Sequence, residues 1–138
     1  MMKPIEYIFS TNIEVRDYEC DIQGIVNNAN YLHYAEHTRH CFLHHVGWSF
    51  AKMHADGEDP VVARMTLQYK APLHPDDVAV SRMAIRKEGV KYIFIHDIYR
   101  QADDRLCFHA EVTLVCLIHG RMGESPALDA ILKRYIKG

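Results

Sequence analysis

The hydrophobic period changes along the chain, and those changes divide it into elements. Residues 1–11 carry no sustained period and read as a loosely held lead-in. Ile13-Glu-Val-Arg16 alternates apolar and polar, which predicts that a strand enters there. Asp17, Glu19 and Asp21 then bring three acids within five residues, too polar for a buried strand, and Asp17 and Glu19 are expected to be solvated. Gly24 marks a turn. Asn27-Asn28 offers a helix cap, with Asn28 the expected N-cap. From Ala29 to about Val46 the period is helical: Leu32, Ala35, Phe42, Leu43 and Val46 form a stripe at i, i+3 and i+4 spacing, with Tyr31 and Tyr34 on neighbouring faces. Glu36 and Arg39 stand at the stripe's edge, spaced to pair. Gly47 ends the run.

Ala51–Pro60, with Asp56-Gly-Glu-Asp-Pro60, predicts a solvated loop. After it the period falls to two. Val61, Ala63, Met65, Leu67 and Tyr69 should share one face of a strand. Val78–Lys87 predicts a second strand, whose apolar parity switches between Val80 and Met83 and so implies a bulge or burial on both faces. Glu88-Gly89 is a hairpin signal. Val90–Arg100 is apolar on both faces and reads as a central strand, and Ala102-Asp-Asp104 turns the chain into a long final strand from Leu106 to Ile118. Ser125-Pro126 opens a terminal helix with Leu128, Ile131, Leu132 and Tyr135 inward. A helix followed by consecutive strands implies α+β rather than a parallel α/β sheet. The economical packing is one curved antiparallel sheet wrapped around the long helix, as a single domain over residues 1–138. One sheet face would still need cover, which a second subunit could supply.

Composition changes this picture little. Hydrophobic residues make up 49% and charged residues 25%, ordinary for a globular chain of 138 residues. A net charge of −2 gives no reason to expect nucleic acid or an anionic membrane as partner. Cys20, Cys41, Cys107 and Cys116 form no C-x-x-C pair, which fits a reduced compartment. The N-terminus lacks the apolar core of a signal peptide, and no run approaches transmembrane length. A cytoplasmic location is the expectation.

The candidate chemistry gathers where Asp21 precedes the long helix. The first N–H groups of a helix have no intrahelical acceptor and can bind or polarise an oxygen, while a nearby carboxylate can act as base or nucleophile. The bland reading of Asp21 is a loop acid making an Asx-turn or a cap. Four of the ten histidines, His33, His37, His40 and His44, line one helical face at spacings able to pair on a metal. With no H-E-x-x-H motif or Cys partner, a partly exposed polar face is the better reading and no metal is expected. No G-x-S-x-G elbow appears.

The stretch D-x-x-G-I-V-N-N-x-N-Y, Asp21 through Tyr31, resembles the hotdog-fold thioesterases of the 4-hydroxybenzoyl-CoA thioesterase type. Supporting landmarks are Glu36-x-x-Arg39 in the helix, Tyr69-Lys-Ala-Pro-Leu-His-Pro-Asp-Asp77, the Ala110–Val115 strand and the Gly120-Arg…Pro126 approach to the last helix. The resemblance implies a hotdog subunit that forms a homodimer and often a homotetramer. It implies acyl-CoA or acyl-carrier-protein substrates held at the subunit interface. Asp21 matches the family's catalytic carboxylate, and the backbone amide of Asn28 its carbonyl-polarising donor. Glu36 is a reserve catalyst, because a sibling clade uses a Glu two turns into the helix. Gly24, Ile25, Val26, Asn27 and Tyr31 fall in the substrate-binding segment, and Tyr69 could line an acyl pocket, with core packing the stronger reading. Arg86, Lys87 and Lys91 match basic positions that meet nucleotide phosphates, with a solvated hairpin tip as the alternative. The scheme requires no cofactor.

Two other activities fit the same fold. A hydro-lyase needs a positioned His at the helix entry, where this chain has Gly24 followed by Ile25. A non-catalytic acyl-thioester-binding subunit would bind without turnover.

Overall fold

The computed structural model describes residues 5–135. A strand β1 (Phe9–Glu14) leads through a 3-10 turn at Asp17–Glu19 to the long helix α1 (Asn28–His45) and a short helix α2 (Phe50–Ala55). Strands β2 (Glu58–Tyr69), β3 (Val78–Glu88), β4 (Lys91–Arg100), β5 (Arg105–Ile118) and β6 (Arg121–Gly123) follow, and α3 (Pro126–Tyr135) closes the order. The strands form one antiparallel sheet in the order β1-β3-β4-β5-β2, with β6 added beside the end of β5. This is the expected α+β arrangement of a sheet curved around a helix.

The sheet's inner face is set by register. Ile85, Phe94 and Val112 stand directly opposite one another across β3, β4 and β5, as do Tyr92 and Leu114 of β4 and β5. These side chains join Tyr31, Tyr34, Phe42 and Leu43 of α1 in one core. Burying each such side chain contributes roughly 1.5–3 kcal/mol. β4 sits between β3 and β5 and is buried on both faces, as its sequence predicts.

Several expectations are corrected. β1 covers Phe9–Glu14 rather than starting at Ile13, because its backbone pairs with Val78–Met83 of β3 irrespective of side-chain polarity. The N-cap is Asn27, whose side chain accepts from the Ala29 N–H at 3.0 Å; Asn28 is the first helical residue. The inner row of α1 is Tyr31, Tyr34, Ala35, Thr38, Arg39, Phe42 and Leu43, so both tyrosines face the core while Leu32 and Val46 are only half-buried. Thr38 is tolerated there because its hydroxyl bonds the Tyr34 carbonyl and the Ser81 hydroxyl, each at 2.7 Å. Glu36 and Arg39 do not pair: Arg39 turns inward to His96 at 3.1 Å, and Glu36 faces His40 at 3.8 Å. The segment expected as a loop over Ala51–Pro60 holds most of α2, capped by the Ser49 hydroxyl, and the start of β2. A register shift between Val62 and Arg64 in β2 puts Val61 on the face opposite Met65, Leu67 and Tyr69. The parity switch in β3 reflects burial on both faces, since its pairing with β4 runs without a shift. β5 is not the last strand, because three residues of β6 turn back onto it.

Candidate active site

The segment between β1 and α1 is held from below. Glu19, expected to be solvated, is buried: it accepts from the Arg16 backbone N–H at 2.8 Å, from the Arg16 guanidinium at 2.9 and 3.1 Å, and from the Tyr34 hydroxyl at 2.9 Å. Burial alone would raise its carboxyl pKa, but the Arg16 and Tyr34 hydrogen bonds outweigh it and hold the group below the usual range. The Tyr34 hydroxyl is pushed up by burial and by that carboxylate. The Glu19 carbonyl accepts from the Asn27 N–H at 3.0 Å and the Asn30 side chain at 2.8 Å, which anchors the helix entry.

Above this anchor the chain makes a tight loop. Cys20 and Val26 bridge as in a strand pair, the Asp21 N–H bonds the Ile25 carbonyl at 2.9 Å, and the Gly24 N–H bonds the Asp21 carbonyl at 3.0 Å. Gly24 has φ of 77°, a left-handed conformation that a side chain would strain. Asp21 is exposed, and one carboxylate oxygen accepts from the Gln23 N–H at 2.8 Å. That contact is the Asx-turn of the bland reading, and it also orients the carboxylate and leaves its second oxygen available. Val26 is buried, and its N–H bonds the Leu73 carbonyl at 2.9 Å, docking the loop on the segment after β2.

The structure brings most of the expected binding residues to one place. Ile25, Val26, Asn28, Tyr31 and Tyr69 line a cavity of about 290 Å³ with Lys70, Ala71 and Pro72. Tyr31 stacks on Phe108 at 5.1 Å and meets Tyr69 edge-on at 5.5 Å, and its hydroxyl accepts from the Leu73 N–H at 3.1 Å. The Tyr69 hydroxyl donates to the Asn28 carbonyl at 3.2 Å. The Asn28 N–H occupies the first helical position, where no intrahelical acceptor exists. Asp21, Gly24 and Asn27 belong to the adjoining loop and cap rather than to the cavity wall. Chemically, the arrangement offers an aromatic-floored pocket, a free helix-terminal amide and a loop carboxylate.

The remaining candidates lie elsewhere. Glu36 is exposed and lines a separate cavity, eight residues or about 12 Å along α1 from Asn28. Strand alternation sends Arg86 and Lys87 to opposite faces. Arg86 bonds Glu111 at 2.9 Å and shares a cavity of about 450 Å³ on the sheet's outer face with Lys91 and Arg64. Lys87 is tied to Asp129 at 2.8 Å and Glu124 at 3.1 Å on α3 and its approach; the Asp129 bond above all raises its pKa. His33, His37, His40 and His44 are all exposed. Sequence reasoning missed Glu19 and Lys70. The i, i+3 spacing of Arg16 and Glu19, which suits an ion pair, could have shown the first; Lys70 carries no local signal, because only the fold sets it in the cavity with Asn28.

Known proteins resemble this chain over most of its length. The thioesterase-like superfamily matches residues 15–134. A putative acyl-CoA thioesterase of Bacillus subtilis is 31% identical over 112 residues, 80% of each chain. A chloroplastic acyl-acyl carrier protein thioesterase of Arabidopsis thaliana is 31% identical over 99 residues, 71% of this chain and 52% of its own. The chain thus spans only about half the length of some of the curated relatives it matches. A crystal structure of a 1,4-dihydroxy-2-naphthoyl-CoA thioesterase from Synechocystis superposes with a TM-score of 0.84 at 15% identity, covering 93% of this chain and 96% of that one. The shared architecture is the hotdog fold.

Proposed function

This chain belongs to the thioesterase-like superfamily, and from that premise we propose that it hydrolyses acyl thioesters of coenzyme A or acyl carrier protein to free acid and thiol. The observation that carries the reading is the meeting of Asn28, the first helical residue, with the pocket walled by Tyr31 and Tyr69, beside the loop that holds Asp21. The thioester carbonyl oxygen accepts from the Asn28 N–H, which stabilises the charge that develops there; losing such a donor typically costs ~10²–10³ in rate. Asp21 either removes a proton from the water that attacks the carbonyl carbon or attacks that carbon itself. In both routes the carbon–sulfur bond breaks, the thiolate leaves and takes up a proton, and water supplies the acid's second oxygen. Arg86 and Lys91, joined by Arg64, offer cations for the phosphates of the thiol carrier.

The acting unit in this proposal is a homodimer. β2 is an edge strand of twelve residues with Val61, Val62, Met65 and Tyr69 exposed along it. An unpaired apolar edge of that length pairs readily with a second copy of itself.

The test is thiol release from a panel of short, long and aromatic acyl-CoA esters, with Asp21→Asn and Glu36→Gln beside the unaltered protein. Turnover that collapses in Asp21→Asn alone supports the assignment. Turnover that survives Asp21→Asn and falls in Glu36→Gln moves the catalyst into the helix. Absence of turnover on every ester overturns the enzymatic reading.

A further inference from the structure

Arg39 is a buried cation without an anionic partner. It is 8% exposed, and its guanidinium donates to His96 Nε2 at 3.1 Å. Since Nε2 accepts, the His96 ring is neutral and carries its proton on Nδ1, which has no partner among the described residues. Burial, and then the Arg39 charge, press the His96 pKa well below its ordinary value, in keeping with that geometry. Among the described residues no carboxylate pairs with Arg39. The two nearby acids face histidines instead: Glu36 lies 3.8 Å from His40, and Asp59 is hydrogen-bonded to His54. A guanidinium has five N–H donors, and one is used here.

Arg39 lines a second cavity, of about 330 Å³, whose apolar wall is Phe50, Pro60, Val62 and Leu114 and whose polar rim is Glu36, His40, His54 and Asp59. It opens on the same α1–β2 seam as the cavity beside Asn28. At one end Tyr69 touches Asn28; at the other, Pro60 and Val62 share the cavity with Arg39. Arg39 follows Asn28 by eleven residues, about 16 Å of helix. Asn28, Leu32 and Glu36 form one row along the helix, while Met65 and Leu67 line β2's inner face between the two ends. Leu32, Met65 and Leu67 are thus the apolar side chains between the two cavities, and an acyl chain whose carbonyl rests at the Asn28 amide would run past them toward Arg39.

We propose that Arg39 determines specificity by receiving an acceptor oxygen at the far end of the acyl group, so that the preferred substrates are thioesters of hydroxy-, oxo- or carboxy-bearing acids rather than of plain alkyl acids. The inference rests on the thioesterase reading for the direction in which the acyl chain runs. Hydrogen bonds from a charged donor are the stronger class, and the preference they give here is about 10- to 100-fold.

The experiment compares plain, ω-hydroxy and ω-carboxy acyl-CoA esters matched over a series of lengths, for the unaltered protein and Arg39→Met. The expected result is a higher kcat/KM for the oxygenated esters at the matching length, largely lost in Arg39→Met. Equal kcat/KM for plain and oxygenated esters in the unaltered protein, or an unchanged ratio in a folded Arg39→Met, overturns the proposal while leaving hydrolysis standing. Non-hydrolysable thioether analogues of the same esters, titrated calorimetrically, separate the two readings. Tighter binding of the oxygenated analogue without any turnover supports the Arg39 site and removes the hydrolase. Equal Kd values overturn the site, and because this arm needs only the unaltered protein it decides even if Arg39→Met fails to fold.

Discussion

Asp17, Glu19 and Asp21 carry the same charge within five residues and meet different fates. Asp17 opens the 3-10 turn, Glu19 is sealed beneath the helix entry, and Asp21 stays in water with one oxygen held by the Gln23 amide. Asp21→Asn keeps the Asx-turn acceptor but cannot take a proton. Thiol-release kcat should fall by roughly 10²–10⁴ with little change in the thermal unfolding midpoint. Glu19 affects stability instead. Its folded-state pKa lies below the ordinary 4.5, so the folded chain releases its proton more readily than the unfolded one. The stability this gives is fully present above 4.5 and is lost as pH falls through the lower folded value. Urea midpoints measured down the acid range should drop more steeply for the unaltered protein than for Glu19→Gln; parallel curves would remove Glu19 from the acid response.

At the scale of the element, the N-terminus of α1 rests on its cap. Asn27 satisfies the Ala29 N–H, whereas Asn28, one position on, is exposed and makes no capping bond. Asn27→Ala should therefore cost about 0.5–2 kcal/mol in denaturant unfolding, and Asn28→Ala much less. Activity should separate the pair the same way. Asn28→Ala retains the backbone amide and with it the oxyanion donor, while Asn27→Ala loosens the turn that aims it and should lower kcat more. Equal rates in the two variants would detach the helix entry from the chemistry.

For the whole molecule, the exposed apolar edge of β2 is the feature least suited to an isolated subunit. Lysine on an edge strand opposes pairing through its charge. Val61→Lys combined with Met65→Lys should shift sedimentation from dimer to monomer while leaving the far-UV spectrum unchanged. An unaltered protein that sediments as a monomer at all concentrations would refute the dimer. No helix among the described residues is long and apolar enough to cross a membrane.

Order and type of elements follow from the sequence because they depend on local period. The helical spacing of Tyr31–Leu43, the apolar run Tyr92–Ile95 of β4, the alternation through β5, and the Gly24 and Gly89 turns each act within a few residues, and so does the Asp-to-helix spacing that marks the candidate site. Tertiary structure decided what depends on distant partners. Arg39 found His96 across the core rather than Glu36 one turn away, because facing inward it meets β4. Glu19 became buried because Arg16 and Tyr34 close over it. A register shift in β2, set by pairing with β5, chose which of its apolar residues face the helix. Tyr69 reached Asn28, and Lys70 the cavity beside it, only because β2 ends where α1 begins, a meeting of residues some forty positions apart that no local pattern contains.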